Sequence, residues 1–419
     1  MEEKEKHSVF WEEYRKQKLG GAVILMKNLD IDWLAGNTEI IVHPLQPYSD
    51  LVVYFLDELS GILRKQAIQE KLPDVQSLAF WCRKSHILKL KEKANNHNSL
   101  GRGLVFHITP SNVPVNFAFS FFFGLLSGNA NIVRVPSKDF HQVNLICHAV
   151  KMLFEKPEYM TLKESNALIR YGHNQEITDS LSKKADMRVI WGGDGTIAQI
   201  RKSPLKAKAG EIVFADRFSL GILDSDAVLR TSEAECTQLA RYFYNDTYLM
   251  DQNACSTPHL LLWLGKEKEA AQEKFWKAVF LEAQKYNLEP IKVVDKYTDL
   301  CIAVMKNSSG IKKITQWENL LYTIDMDMLP EDICTLRGRF GMFYQYALKN
   351  LQELAPFIQE RVQTLLYYGL DAQELMNFVL NNHLQGIDRI VPFGNSLDMD
   401  VFWDGYDIVG QLSRNICFK

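Results

Sequence analysis

GLVFHITPSNVPVNFAFSFFFGLLSGNANIVRVPSK runs from Gly103 to Lys138. Its opening GLVFHI reads as a strand. TPSNVP is a turn, because two prolines and a Ser-Asn pair resist regular structure. An apolar helix follows from about Val115 to Leu126, and GNANIVRVPSK then supplies a second strand and turn. The apolar run Val113 to Leu126 carries Asn116 and Ser120 and is too short for a bilayer, which needs roughly 20 residues. It reads as a buried helix.

Outward from there the alternation continues. A helix spans about Phe140 to Phe154, and ADMRVIWGGDGTIAQI is strand, glycine-rich turn and helix start. EIVFAD and SLGILD are further strands. Strand–helix–strand alternation builds a parallel doubly wound sheet. Upstream, GAVILM and EIIVH read as short strands. Asp50 to Gln69 reads as a helix capped by Ser49 or Asp50, and Asp74 to Ala94 as one amphipathic helix ending in a lysine-rich turn. Downstream, about Ser232 to Tyr244 and Lys266 to Tyr286 read as helices, with the strand HLLLWLG between them. The expected fold class is α/β, with a Rossmann-like cofactor domain and an α/β catalytic domain. The expected domains are 1–221, 222–394 and a C-terminal segment 395–419.

Composition narrows the classes. The chain has 419 residues, 47% hydrophobic and 24% charged, with a net charge of −3, so nothing marks a nucleic-acid surface. Seven cysteines are scattered without a C-x-x-C pair, which suggests neither a zinc site nor a redox dithiol and fits reduced thiols in the cytoplasm. The charged start MEEKEKHSVFWEEYRKQK has no apolar h-region of a signal peptide.

Three features carry candidate chemistry. Cys255 lies in NDTYLMDQNACSTPH among small and polar residues; it is a nucleophile or a core thiol, and spacing alone favours the core. Asn112, between two prolines, is an oxyanion donor or a plain turn asparagine. WGGDG, Trp191 to Gly195, lets a backbone approach a pyrophosphate or simply turns a strand into a helix; G-x-G-x-x-G is absent. His259 is four residues from Cys255 and could lower its pKa, but HLLLWLG reads as a strand leading away.

Three stretches in order resemble the aldehyde dehydrogenase superfamily. HITPSNVP resembles its T-P-W-N-x-P turn, with Ser111 in place of the Trp. GNANIVRVPSK resembles G-N-x-V-V-x-K-P-S, with Arg134 at the lysine position and one extra residue. DQNACSTP resembles the catalytic cysteine segment. Within the superfamily, DVQSLAFWCRK, NACSTPH, GRFG, GIDRIVPFG and WDGYDIVGQLSR are similar to the acyl-CoA reductase family (LuxC type), the reductase subunit of bacterial fatty acid reductase.

The resemblance implies reduction of an acyl-CoA to an aldehyde through an acyl-enzyme on Cys255. Asn112 and the Cys255 amide would hold the oxyanion. Thr109, Pro110, Ser111, Arg134, Pro136, Ser137 and Lys138 would bind the cofactor. Gly192 matches the glycine of a T-G-S turn, Gly193 replaces its serine, and Phe340 matches E-x-F-G-P. Two cations, Arg134 and Lys138, would suit a 2′-phosphate and hence NADPH. Acyl-transferase and acyl-activating partners and a homo-oligomer are also implied.

Two departures count. Val213 falls about where oxidising relatives keep a water-activating glutamate, with Glu211 two residues away, and the ribose-binding glutamate is missing from GRFGM. The missing base favours a CoA-dependent reductase over an oxidising aldehyde dehydrogenase; the phosphate-proximal turns argue against an acyl-transfer subunit, and a non-catalytic scaffold is the remaining rival. Asp388, Arg389, Trp403, Asp404 and Asp407 read as buried Asp–Arg pairing that closes a cleft.

Overall fold

The computed structural model describes residues 22–25, 30–94, 98–111 and 113–417. They form two compact units. One takes the chain up to Ala215 and again from Tyr406; the other is Asp216–Gly405.

The first unit is built on six strands: β1 (Asp32–Gly36), β2 (Leu104–Ile108), β3 (Ala130–Arg134), β4 (Asn166–Arg170), β5 (Met187–Trp191) and β6 (Gly210–Phe214). Their order is β1-β4-β3-β2-β5-β6. All neighbours are parallel except β1, which runs antiparallel to β4. β2 and β5 are buried along their whole length. Strands covered on both faces read as continuous apolar runs rather than alternating ones, which is why LVFHI and MRVIW look as they do. The chain leaves β2 for β3 on one side and reaches β5 on the other, so the sheet switches direction between β2 and β5. In open α/β sheets the crevice at the carboxyl ends of such strands is where ligands bind.

α1 (Asp50–Glu70) matches the sequence expectation within a residue, although Ser49 makes no side-chain capping bond. The single helix expected over Asp74 to Ala94 is two: α2 (Pro73–Trp81) and α3 (Lys84–Lys93), with Arg83 extended between them. The phase of the apolar residues explains the break. Val75, Leu78 and Cys82 share one face, and continuing that helix would bury Ser85, His86 and Lys89. Breaking it turns Ile87 and Leu90 inward instead, while Asp57 Oδ1 accepts the freed Lys84 N–H at 2.8 Å.

α4 (Asn116–Leu126) is the expected apolar helix, nine of its residues buried. Ser120, polar in that run, faces His107 Nδ1 at 2.8 Å and accepts the Trp191 indole N–H at 3.0 Å. His107 Nε2 meets Asn131 Oδ1 at 3.0 Å, so a polar chain pins α4 to three strands.

The second unit has seven strands: β7 (Phe218–Asp224), β8 (Pro258–Leu264), β9 (Ile311–Trp317), β10 (Leu321–Met326), β11 (Met342–Ala347), β12 (Val362–Tyr368) and β13 (Arg389–Pro392). Their order is β9-β10-β11-β8-β7-β12-β13, parallel except for the antiparallel edge strand β9. One apolar cluster gathers Leu223, Phe243, Leu261, Trp263 and Phe275; the other gathers Leu220, Leu260, Ile324, Tyr344 and Leu365. α5 (Glu233–Thr247) begins with a capping box, Ser232 and Glu235 bonding each other's backbone N–H.

The unit boundary differs from the expected one. A break after residue 221 would fall inside β7 and cut its pairing with β8 and β12; the division precedes the strand. The tail also divides. Residues 395–405 belong to the second unit. Ser413–Asn415 pairs antiparallel with Ser99–Gly101 in the first. Among the described residues no helix is long and apolar enough to cross a membrane.

Candidate active site

Cys255 sits in the loop joining α5 to β8. Asp251 and Gln252 are left-handed, with φ of 53° and 60°, and Gln252 is buried. Its Oε1 accepts the Gly341 N–H at 2.6 Å and its Nε2 donates to the Met342 carbonyl at 3.0 Å. Thr257 Oγ1 donates to the Asp246 carbonyl at 2.9 Å, and Ser219 Oγ donates to the Cys255 carbonyl at 2.7 Å. Asp246 in turn accepts the Gly394 and Ser396 N–H groups at 2.6 and 3.0 Å. The cysteine loop is therefore tied to the Gly338–Met342 turn and to the PFGNS turn.

Among the cysteines, Cys82, Cys147, Cys236 and Cys334 are buried, Cys301 and Cys417 are exposed, and Cys255 is partly exposed. Burial pushes the thiol up to about 12 and the Asp404 charge adds to that push. A hydrogen bond from the Gln363 side chain, the Arg389 charge and the residue's own backbone N–H act the other way. At neutral pH Cys255 rests as a thiol, and the thiolate needed for attack has to be supported by those donors.

The network continues outward. Gln363 is fully buried, and its Nε2 donates to Asp404 Oδ1. Arg217 pairs with Asp388 and lies 3.8 Å from Asp404. Burial pushes the Asp404 carboxyl up to about 6, against Arg217 and Gln363. The Arg389 guanidinium stacks 4.0 Å above the Trp403 ring and donates to the Ser396 carbonyl at 3.1 Å. Asp404 and Arg389, read in the sequence as bland pairing, thus act on the thiol, and Asp388 and Trp403 hold their partners Arg217 and Arg389. Gln363 and Arg217 were not anticipated. The available signal was the pair Gln363-Thr364, polar inside the apolar strand VQTLLYY and wholly buried.

His259 is buried and turned from the sulphur's network. Its Nδ1 meets the Gly338 carbonyl at 3.1 Å and its ring stacks on Phe218. Burial, with Arg337 nearby, lowers its pKa to about 4, so it is a neutral brace for the GRFG turn. Phe340 in that turn is buried and left-handed (φ 56°). Its carbonyl accepts from Lys296 Nζ at 2.9 Å.

In the first unit, the residues expected to hold a cofactor follow the carboxyl ends of adjacent strands: Thr109, Pro110 and Ser111 after β2, Pro136, Ser137 and Lys138 after β3, Gly192 and Gly193 after β5. Asn112 lies outside the described residues. Thr109 Oγ1 donates to the Arg134 carbonyl at 2.7 Å. Gly193 has an ordinary φ of −72°, and a Cβ there would meet nothing within 4 Å. Gly193 is exposed, so neither its backbone nor its packing demands glycine there.

One expectation fails. Arg134 is not free to meet a 2′-phosphate: it donates to the Tyr171 carbonyl at 3.4 Å and the Gly172 carbonyl at 3.1 Å, and stacks 4.5 Å from the Tyr171 ring. It closes the end of β3 instead. Only Lys138, exposed, remains of the cation pair. Glu211 is likewise committed: Arg188 binds it at 2.5 and 2.8 Å and Arg201 at 2.7 Å. Val213 packs against the apolar cluster around Phe106 and Ile190. No group of metal-ligating side chains occurs among the described residues.

A sequence model described as acyl-CoA reductase (LuxC) matches residues 30–415. The chain belongs to the LuxC acyl-CoA reductase family. A relative, the long-chain acyl-protein thioester reductase of Vibrio harveyi, is 22% identical over 324 residues, 76% of this chain and 64% of that protein. Solved structures place the chain in the aldehyde dehydrogenase fold. A mutant of Bradyrhizobium japonicum proline utilization A gives a TM-score of 0.61 at 13% identity, covering 87% of this chain and 42% of that one. Aldehyde dehydrogenase 21 from Physcomitrella patens gives 0.57 at 11%, covering 87% and 81%. Escherichia coli lactaldehyde dehydrogenase gives 0.54 at 12%, covering 81% and 78%. At these identities the likeness is one of fold.

Proposed function

We propose that this protein reduces a long-chain acyl thioester, acyl-CoA or an acyl group delivered by a partner protein, to the aldehyde. The observation that carries the reading is the setting of Cys255: a partly exposed thiol in a loop tied down by Gln252, Thr257 and Ser219, with the charges of Asp404 and Arg389 acting on it. The Cys255 thiolate attacks the thioester carbonyl, forming an acyl-cysteine and releasing the CoA thiolate, which takes up the proton from Cys255. When bound, NADPH would supply hydride to the acyl carbon. Collapse of the resulting thiohemiacetal gives the aldehyde and restores the Cys255 thiolate. Asn112 and the Cys255 N–H are the proposed oxyanion donors, on the resemblance of their motifs; losing one such donor costs ~10²–10³ in rate.

Thr109, Pro110, Ser111, Pro136, Ser137, Lys138, Gly192 and Gly193 would hold the dinucleotide, and the resemblance of the GRFG motif adds Phe340 as a cofactor-binding residue. Preference for a 2′-phosphate rests on Lys138. The oxidising alternative needs a base to activate water, and Glu211 is held by two arginines while position 213 is apolar.

Intact-protein mass spectrometry with a panel of acyl-CoAs tests the reading. The expected result is an acyl adduct on Cys255 that NADPH discharges as aldehyde. Turnover of an aldehyde with NADP⁺ to free acid without CoA, or an adduct that persists in Cys255→Ser, overturns it.

A further inference from the structure

A phenylalanine in the left-handed region is strained, because its Cβ crowds the backbone. Such a conformation persists only where the surroundings over-determine it. Phe340 is left-handed (φ 56°) and is followed by left-handed Gly341 (φ 88°). Two side chains from elsewhere in the chain grip this pair and its neighbour. Gln252 takes two backbone groups: its Oε1 accepts the Gly341 N–H at 2.6 Å and its Nε2 donates to the Met342 carbonyl at 3.0 Å. Lys296 takes a third, donating from Nζ to the Phe340 carbonyl at 2.9 Å and also to the Asn319 carbonyl.

Both grips are made where polar groups are expensive. Gln252 is buried and itself left-handed (φ 60°). Lys296 is fully buried, and burial lowers its pKa to about 8. Its ammonium lies 4.4 Å from the Tyr322 ring. Apolar side chains would fill such positions at lower cost. What the polar pair adds is a fixed direction for three consecutive residues of backbone.

Gln252 also opens the cysteine loop, three residues before Cys255. Beside it, Asp251 accepts from the Tyr286 hydroxyl and pairs with Lys292 at 3.1 Å. Lys292 Nζ lies 5.9 Å from the centre of the Phe340 ring. The cysteine loop and the GRFG turn are thus joined twice, within one unit of the fold. Cys255 keeps separate holds, Ser219 on its own carbonyl and Thr257 on that of Asp246, whereas the Gly341 N–H is given to Gln252.

Resting on the proposed reading of Cys255 as nucleophile and Phe340 as a cofactor contact, we infer that Gln252 and Lys296 are positioning residues that fix the GRFG turn against the cysteine loop. They serve the hydride half of the reaction rather than acyl capture.

The two halves separate in time. Palmitoyl-CoA is added without NADPH and the acyl-Cys255 adduct is followed by intact mass; NADPH is then added and loss of the adduct is timed. Gln252→Leu loses both hydrogen bonds, and Lys296→Met loses the donor to Phe340. Each is expected to acylate within about threefold of wild type and to discharge the adduct about tenfold more slowly, the scale of one buried hydrogen bond. Gln252→Glu keeps the acceptor for Gly341 and loses the donor to Met342, so its discharge falls between. Amide exchange across Gly338–Met342, read without NADPH, rises in Gln252→Leu, while buried Cys236 and Cys334 resist iodoacetamide as in wild type. Should Gln252→Leu expose those two thiols, Gln252→Glu carries the same test. Acylation and discharge that fall together, or discharge as fast as wild type, overturn the inference while acyl capture by Cys255 stands. A wild-type adduct that NADPH fails to discharge, or acyl capture in Cys255→Ser, overturns the underlying reading instead.

Discussion

His107 shows how much one buried side chain carries. Asn131 Nδ2 donates to the Asn129 carbonyl and Asn166 Oδ1, both at 2.8 Å, so its Oδ1 faces His107 Nε2 and that nitrogen must bear the proton. Nδ1 then accepts from Ser120. The imidazole is neutral, and burial lowers its pKa to about 4 against the opposing Asn131 bond. Unfolded histidine titrates near 6.5. Between those values the unfolded chain takes a proton that the folded chain refuses, so stability is lost as pH falls through the window. At pH 5 the loss from this one group is about 2 kcal/mol. Urea unfolding at pH 7 and pH 5 should show His107→Gln losing less than wild type by about that amount; an identical loss refutes the assignment. The same scale shows why Arg134 was misread. Its position matches a ligand motif, but its guanidinium found two backbone carbonyls, and only coordinates reveal that.

At the scale of elements, α4 gives the clearest opposition between local preference and packing. Gly124 lies in the helix interior, where alanine is intrinsically better by about 1 kcal/mol. A Cβ at Gly124 would sit 1.9 Å from Asn131 Oδ1 and 2.9 Å from His107 Nε2. Gly124→Ala is therefore expected to destabilise by about 2 kcal/mol or more, the reverse of what propensity predicts. A raised denaturation midpoint for the alanine variant would show that helix and strand can separate. The broken helix over residues 73–93 teaches the same lesson: composition is helical throughout, and the phase of the buried residues decides where it bends.

For the whole molecule, the telling feature is that the chain leaves its first unit at Asp216 and returns at Tyr406. The returning tail adds a strand against Ser99–Gly101, and the Leu412 carbonyl accepts from the Asn129 side chain at 2.9 Å and the Arg102 N–H at 3.3 Å. Removing residues 406–419 should raise amide hydrogen exchange along Leu104–Ile108 and Ala130–Arg134. Phe218–Asp224 and Pro258–Leu264 should remain protected. Equal deprotection of both sheets would mean the two units unfold as one.

The sequence by itself determined the α/β class, the strands Leu104–Ile108, Ala130–Arg134 and Met187–Trp191 with the helices Asn116–Leu126 and His141–Phe154, and the candidacy of Cys255. Those follow from local causes: apolar periodicity, proline and glycine punctuation, and motif order. Tertiary structure alone decided that Asp404 and Arg389 act on the Cys255 thiol, that Glu211 is spent on Arg188 and Arg201, and that the tail completes the first unit. Gln363 and Cys255 are more than a hundred residues apart on different strands and loops. Their approach is set by sheet order and register, and neither is written in the neighbourhood of either residue.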